Sequence, residues 1–228
     1  MASSASRSKN LPPVADSDPE AHAFETVESQ TLYTGKIFAL RADEVLMPGG
    51  KTARREVVEH YGAVAIVALD DDGNVVMVYQ YRHPLGRRLW ELPAGLLDVA
   101  GEPAHLTAAR ELEEEVGLAA DDWQVLVDVV STPGFTDESV RVYLATGLSE
   151  IDRPDAHDEE ADMRTQRFPL AEAVQMVFSG EIVNALAVAG ILAAQAVHQG
   201  VASARPVDAE WVDKPTRFAA RKAADGKQ

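Results

Sequence analysis

The chain has 228 residues, 46% of them hydrophobic and 25% charged, a composition typical of a soluble globular protein with one sizeable core. No cysteine is present, so disulfide frameworks, cysteine nucleophiles and thiolate metal sites are excluded, and a cytoplasmic location is favoured. The net charge of −16 disfavours a nucleic-acid partner, because such binding depends mainly on lysine and arginine contacts with phosphate.

The N-terminal part of the chain is predicted to contain a tail and a small β subdomain. Residues 1–22 are rich in Ser, Ala, Pro and Asp and have almost no apolar anchors, which predicts a disordered tail. In residues 23–60 the apolar positions are interrupted by Pro48-Gly49-Gly50, a pattern that predicts short antiparallel strands around a turn. A unit this short must pack on another part of the protein.

Residues 61–200 are predicted to form the main domain, followed by a C-terminal extension of residues 201–228. The predicted elements are a hairpin of residues 64–69 and 75–81, a helix at Ala104–Val116, strands at 123–130 and 140–146, and helices at Leu170–Ser179 and 182–198. Because strands and helices intermix, the pattern favours an α/β sandwich with a mixed sheet over a doubly wound parallel sheet. The longest apolar stretch, residues 185–194, has about half the length of a membrane span, so no membrane association is expected.

The helix at Ala104–Val116 carries a set of carboxylates that points to chemistry. At 3.6 residues per turn, Glu111, Glu114 and Glu115 fall within an arc of roughly 100°, and we expect them to face outward to a cleft. The apolar residues that fall roughly opposite are expected to be buried; they are Leu106, Ala109, Leu112 and Val116. Like charges at this spacing cost about 0.2–0.5 kcal/mol per pair, and a divalent cation would reverse that cost. Taken alone, Glu-x-x-Glu-Glu is also typical of a solvated acidic helix face.

The residues around this helix decide between the two interpretations. The fixed positions are Gly95, Glu102, Arg110-Glu111, Leu112, Glu114-Glu115 and Gly117-Leu118. Their order and spacing resemble the Nudix box. One departure exists, because six residues instead of five separate Gly95 from Glu102, which is a one-residue insertion in the loop before the helix. The resemblance implies a Nudix-type α/β/α sandwich with a mixed sheet, together with the small N-terminal antiparallel β subdomain.

The resemblance also implies a metal site. Glu111 and Glu115 would be metal ligands together with the backbone carbonyl of Ala94, and Glu114 would have a catalytic role or share a second ion. Arg110 would orient the glutamates by charge-assisted hydrogen bonds. Oxygen ligands suit Mg²⁺ or Mn²⁺, and the resemblance implies two or three such ions per site, which would neutralise a diphosphate while water attacks phosphorus. No covalent intermediate is required.

Residues outside the box indicate the substrate class. Pro133 and Gly134 begin fifteen positions beyond Leu118 and are followed by Glu138, a pattern that resembles the ADP-ribose pyrophosphatase branch of the family. A plain β-turn is the alternative, since Pro-Gly marks turns in many proteins. Arg82 matches a substrate-contacting arginine of that branch, although surface charge would also explain it.

The same branch implies a homodimer and a catalytic base. Arg54, Arg55 and Glu59 lie in the N-terminal strands, which would exchange between subunits and bind substrate in the partner's site; surface charge is the alternative for the two arginines. The acidic loop at 158–163 stands where the branch carries its general base, so Glu160 is the first candidate and Glu159 the second. A solvated acidic linker would look similar.

The function expected from these residues is hydrolysis of ADP-ribose to AMP and ribose 5-phosphate. An alternative is the same reaction on another nucleoside diphosphate derivative, such as a nucleotide sugar or an oxidised nucleotide, because the box would be identical. A third alternative, a non-catalytic sensor that binds ADP-ribose, is disfavoured because all the box glutamates are present.

Overall fold

The computed structural model describes residues 22–152 and 162–226, so all but the last residue of the predicted N-terminal tail lies outside the described part. The strands are Thr26–Thr34 (β1), Phe38–Leu46 (β2), Thr52–His60 (β3), Ala63–Ala68 (β4), Asn74–Arg82 (β5), Arg87–Glu91 (β6), Ala94–Leu96 (β7), Leu118–Val130 (β8), Ser139–Glu150 (β9), Arg164–Pro169 (β10) and Arg205–Pro206 (β11). The helices are Ala104–Val116 (α1), Leu170–Ser179 (α2), Ala185–His198 (α3) and Arg217–Ala224 (α4).

The N-terminal strands form a separate antiparallel sheet, as predicted. Its order is β1-β2-β3, so β1 lies at one edge. The turn between β2 and β3 is closed by hydrogen bonds from the amide of Met47 to the carbonyl of Lys51 at 2.8 Å and from the amide of Gly50 to the carbonyl of Met47 at 3.1 Å. Gly49 and Gly50 have φ angles of 92° and 80°, values that glycine adopts without a steric penalty.

The main domain is built on a five-stranded sheet in the order β11-β8-β9-β4-β7. The pairing of β4 with β9 is parallel and the other pairings are antiparallel, so the sheet is mixed, as predicted. Every residue of β4 is buried, and its side chains alternate between two core clusters. Val64 and Ile66 pack with α1, whereas Ala65 and Val67 pack with α2 and α3. Helices therefore cover both faces of the sheet, and the architecture is the expected α/β/α sandwich.

The predicted hairpin of residues 64–69 and 75–81 is wrong. A single bridge between Leu69 and Val75 joins the two segments, and β5 then pairs with β6 and β10 in another sheet. The turn itself forms, because a side-chain oxygen of Asp70 accepts hydrogen bonds from the amides of Asp72 and Asn74. Strands β4 and β5 are both largely buried, and each pairs with other strands and is covered by helices of its own. The turn between them therefore does not determine which strands pair.

The last helix of the main domain begins three residues later than predicted. The side chain of Asn184 accepts hydrogen bonds from the amides of Leu186 and Ala187 at 3.0 Å, which makes it the N-cap and starts α3 at Ala185. Ile182 instead lies in the segment that follows α2, where its amide donates to the carbonyl of Met176 near the end of that helix. Within residues 22–152 and 162–226, none of the helices combines the length and hydrophobicity needed to cross a membrane.

The C-terminal extension folds back onto the N-terminal sheet. Helix α4 packs against β3, with Phe218 fully buried and its ring in an edge-to-face contact with Tyr61 at 4.6 Å. Arg221 donates one hydrogen bond to Glu59 in β3 at 2.8 Å and another to Thr31 in β1 at 2.6 Å. The extension therefore ties two strands of the N-terminal sheet to the end of the chain.

Candidate active site

Arg110 lies at the centre of a group of glutamates on α1 and in the loop before it, which we call the carboxylate cluster. Its guanidinium donates to Glu111 at 2.8 Å, to Glu114 at 3.1 Å and to Glu102 at 3.2 Å. Glu102 also accepts a hydrogen bond from the hydroxyl of Thr107 at 2.7 Å. One cation thus offsets the repulsion among three carboxylates and fixes the loop that precedes the helix to the helix itself.

Glu115 is buried, which corrects the expectation that it faces outward. Its side chain accepts a hydrogen bond from the backbone amide of Ala94 at 3.0 Å, and the residue is only 8% exposed. Strand β7 lies against this face of α1, so Glu111 and Glu115 meet backbone rather than open solvent. The predicted apolar stripe is wrong at Leu106, which is 49% exposed, whereas Thr107 is fully buried in its place.

Gly95 brings a second carboxylate to the same short segment. A Cβ atom at this position would overlap the carboxyl group of Glu111, so only glycine allows the side chain to lie so close to the backbone. Burial raises the pKa of Glu111 to about 7, and the neighbouring Arg110 opposes the rise. Glu111 and Glu115 therefore converge on Ala94-Gly95, as side chains four residues apart on a helix can do.

The residues present fit a hard divalent cation. The carboxylates of Glu111 and Glu115 and the carbonyl of Ala94, the predicted ligands, would supply only oxygen donors, which suit Mg²⁺ or Mn²⁺. Within the described residues no group of three or more His, Asp or Glu side chains is arranged as a metal site. Mg²⁺ does not require one, because it is commonly held by one or two carboxylates and keeps several water ligands. A cation would also offset the cost of burying the carboxylate of Glu111.

Arg82 is paired with Glu91, a buried acid that was not among the predicted site residues. Its guanidinium donates to both oxygens of Glu91, at 3.0 and 2.6 Å, and Gln80 donates to the same carboxylate at 3.3 Å. Glu91 is 2% exposed and lies three residues before Ala94, whereas the Arg82 side chain is 41% exposed. The signal in the sequence was an acidic residue between Trp90 and Leu92. The pair therefore restrains a cationic group that stays partly exposed.

The loop at residues 131–138 is fastened to the end of β3. The carbonyl of Phe135 accepts from the amide of Val58 at 2.7 Å, and the amide of Asp137 donates to the carbonyl of Val58 at 3.2 Å. Pro133 and Gly134 form its exposed tip. The structure thus brings this tip to the strand that carries Glu59.

Two further predicted residues, Glu138 and Glu59, lie at this junction. Glu138 accepts a hydrogen bond from Ser131, and its carboxylate lies 3.5 Å from His60 Nδ1. Glu59 is 2% exposed, with Nε of Arg41 at 2.9 Å from one oxygen and Nε of Arg221 at 2.8 Å from the other. Because arginines of this chain engage both oxygens of Glu59, its direct contact with substrate stays a prediction.

The other predicted site residues make local contacts or lie outside the described part. Arg54 and Arg55 are exposed; Arg54 pairs with Glu56 at 3.3 Å, and Arg55 donates to the carbonyl of Arg54 at 2.9 Å. Glu159 and Glu160 fall outside the described residues.

Comparison with known proteins agrees with this geometry. The family model of the NUDIX domain matches residues 59–186, and that of the nucleoside diphosphate sugar hydrolase N-terminal domain matches residues 24–58. An ADP-ribose pyrophosphatase of Mycobacterium tuberculosis is 69% identical over 202 residues, covering 89% of this chain and 98% of the relative. An ADP-ribose pyrophosphatase of Bacillus subtilis is 38% identical over 161 residues, covering 71% of this chain and 86% of the relative.

A solved structure supports the fold. The crystal structure of an ADP compounds hydrolase matches with a TM-score of 0.67 at 22% identity, covering 79% of this chain and 96% of that chain. Since the NUDIX model spans more than half of the sequence and contains the complete carboxylate cluster, the chain belongs to the Nudix family.

Proposed function

We propose that this protein hydrolyses ADP-ribose to AMP and ribose 5-phosphate with the help of divalent cations. The observation that carries the proposal is the convergence of Glu111 and Glu115 on Ala94-Gly95, with Arg110 fixing the surrounding carboxylates. Support for the substrate comes from the relatives of M. tuberculosis and B. subtilis, both of which are ADP-ribose pyrophosphatases.

The cation-binding residues in this proposal are Glu111, Glu115 and the carbonyl of Ala94, with Glu114 in reach of a second ion. Two or three Mg²⁺ or Mn²⁺ ions would neutralise the diphosphate and polarise phosphorus when bound. Arg110 keeps the glutamates in place before any cation arrives, because it bonds to Glu111 and Glu114 directly. This preorganisation reduces the rearrangement needed when the substrate binds.

The diphosphate and the nucleoside are bound by different parts of the chain in this proposal. Arg82 is suited to a diphosphate oxygen, because Glu91 restrains its guanidinium while the side chain stays partly exposed. The loop with Pro133, Gly134 and Glu138 would line the nucleoside side of the pocket. The general base would be Glu160 or Glu159, which would take a proton from the attacking water.

We infer that the active form is a homodimer and that it is cytoplasmic. Every residue of β1 is exposed, including Val27, Leu32 and Tyr33, which suits a strand that a second copy covers. Arg54 and Arg55 would then reach the partner's site, in agreement with their lack of described bonds to the carboxylate cluster of their own chain.

A second candidate substrate is another nucleoside diphosphate sugar. The match of residues 24–58 to the N-terminal domain of nucleoside diphosphate sugar hydrolases favours it. The carboxylate cluster would be the same for both, so only the residues that contact the nucleoside and the sugar separate the two candidates.

A substrate panel tests the proposal. The protein is incubated with Mg²⁺ or Mn²⁺ and with ADP-ribose, ADP-glucose, GDP-mannose, NADH or diadenosine polyphosphates, and the products are separated by chromatography. We expect ADP-ribose to have the highest kcat/KM and to give AMP and ribose 5-phosphate. A clear preference for another compound would refute the substrate and would leave the family assignment intact.

A further inference from the structure

The C-terminal segment touches the sheet at the point where the loop at residues 131–138 ends. The indole of Trp211 donates a hydrogen bond from Nε1 to Oγ of Ser139 at 3.0 Å, although the two residues are 72 positions apart. Ser139 is 1% exposed and is the first residue of β9, directly after Glu138. The loop therefore re-enters the sheet through a residue that the C-terminal segment holds.

A buried arginine fixes this part of the C-terminal segment in place. Arg141 is 4% exposed, and its guanidinium donates to the backbone carbonyls of Ala209 and Glu210 at 2.7 and 2.8 Å. The same guanidinium pairs with Asp128 at 2.7 Å and lies 4.8 Å from the centre of the Trp211 ring. A planar guanidinium that is bonded on several sides and stacked on an indole has little freedom to move. The indole is therefore held in the orientation that reaches the sheet.

The loop is anchored on both sides of Glu138. On one side, the carboxylate of Asp137 accepts a hydrogen bond from the amide of His60 at 2.8 Å, which ties it to the end of β3. On the other side, Ser139 is bonded to Trp211. Because Glu138 lies one residue from each anchor, a shift of either anchor moves its carboxylate and the rest of the loop.

We propose that Trp211 is a positioning residue of the substrate site: through Ser139 it holds the loop at residues 131–138 in the orientation that binds the nucleoside. This inference rests on the proposed function, in which the loop lines the nucleoside side of the pocket. Loss of the indole donor takes a partner from a buried hydroxyl and releases one of the two anchors. The effect falls on substrate binding, because the carboxylate cluster takes no part in these contacts.

Steady-state hydrolysis of ADP-ribose by full-length Trp211→Phe tests the proposal. Phenylalanine keeps a ring beside Arg141 but has no N–H group to donate to Ser139. We expect KM to rise about 3- to 10-fold, as for one lost hydrogen bond, and kcat to stay close to that of the wild type. The matched control is Trp123→Phe in the first half of β8, where the indole donates to the carbonyl of Ala120 at 3.2 Å. Unchanged KM in a folded Trp211→Phe, or an equal rise in the control, overturns the proposal.

A second variant separates positioning from a general loss of stability. Ser139→Ala removes the acceptor of the same hydrogen bond and should raise KM by a similar factor. If this bond carries the effect, the double variant of Trp211→Phe with Ser139→Ala has the KM of either single variant, within about twofold. Independent increases that multiply in the double variant overturn the proposal.

Amide hydrogen exchange without substrate distinguishes failure of this inference from failure of the proposed function. We expect the amides of residues 131–138 to exchange faster in Trp211→Phe than in the wild type, and those of α1 to exchange at the same rate. Unaltered exchange in the loop overturns the positioning role, whatever the substrate is. If the wild type does not hydrolyse ADP-ribose in the substrate panel, the proposed function fails, and KM is then compared with the substrate that the panel identifies.

Discussion

Replacing Gly95 with alanine should disable the site through a single added methyl group. The new Cβ would overlap the carboxyl group of Glu111, so that group must retreat by more than about 1 Å to reach ordinary van der Waals contact. A misplacement of this size at a reacting centre lowers the rate by about 100-fold. We therefore expect kcat/KM for ADP-ribose to fall by about two orders of magnitude in Gly95→Ala.

The assay is steady-state hydrolysis with saturating Mg²⁺, combined with thermal melting. Gly101→Ala is the control, since Gly101 lies in the loop that follows β7, with nothing within 4 Å of an added Cβ but with a φ of 78°. It should lose about 1 kcal/mol of stability through backbone strain and keep most of its activity. Wild-type kcat/KM in Gly95→Ala would refute the close approach of Glu111 to this backbone.

Two other changes test stability. Arg221→Ala should lower the free energy of unfolding by about 1–3 kcal/mol in urea denaturation, because buried Glu59 loses one of its two partners. The exposed Arg217→Ala on the same helix should change it little, and equal values for the two variants would contradict a stabilising contact between Arg221 and Glu59. Burial raises the pKa of Asp128, but the ion pairs with Arg141 and Arg205 outweigh it, so the folded pKa lies below 3.8. The ionised carboxylate stabilises the fold above that value, and this stabilisation is lost as pH falls through the folded pKa. Asp128→Asn should therefore destabilise the protein at pH 7 and show a smaller further loss of stability than the wild type below about pH 4. Parallel pH profiles of stability for the two proteins would contradict this.

Much of the site could be predicted from the sequence because its spacing is local. Helix α1 has the predicted bounds, from the residue after Pro103 to the αL turn at Gly117. What periodicity could not show is that β7 lies against the glutamate face and buries Glu115, because that contact joins residues 21 positions apart. A helical wheel distinguishes the two faces of a helix, but it does not show which of them another segment covers.

Longer-range partners were not predictable for the same reason. The contact between Arg221 and Glu59 connects residues 162 positions apart, and nothing in either segment indicates its partner. The pairing of β5 with β6 and β10 was missed because buried β-branched runs next to a tight turn are compatible with several sheets. Glu91 lies between Trp90 and Leu92, and nothing in those neighbours shows that its burial is balanced by the cation that Arg82 supplies.

The most direct test of whether Glu115 binds the catalytic cation is cation-dependent turnover of Glu115→Gln beside Glu113→Gln. The glutamine at 115 can still accept the hydrogen bond from Ala94, so the fold should be kept even though the residue is buried. Glu113 is exposed on the same helix and serves as the matched control. We expect ADP-ribose hydrolysis, measured over a titration of Mg²⁺ and Mn²⁺, to fall by at least about 100-fold in Glu115→Gln and to be unchanged in Glu113→Gln. Full activity of a folded Glu115→Gln at low cation concentration would contradict the role of Glu115 as a cation ligand.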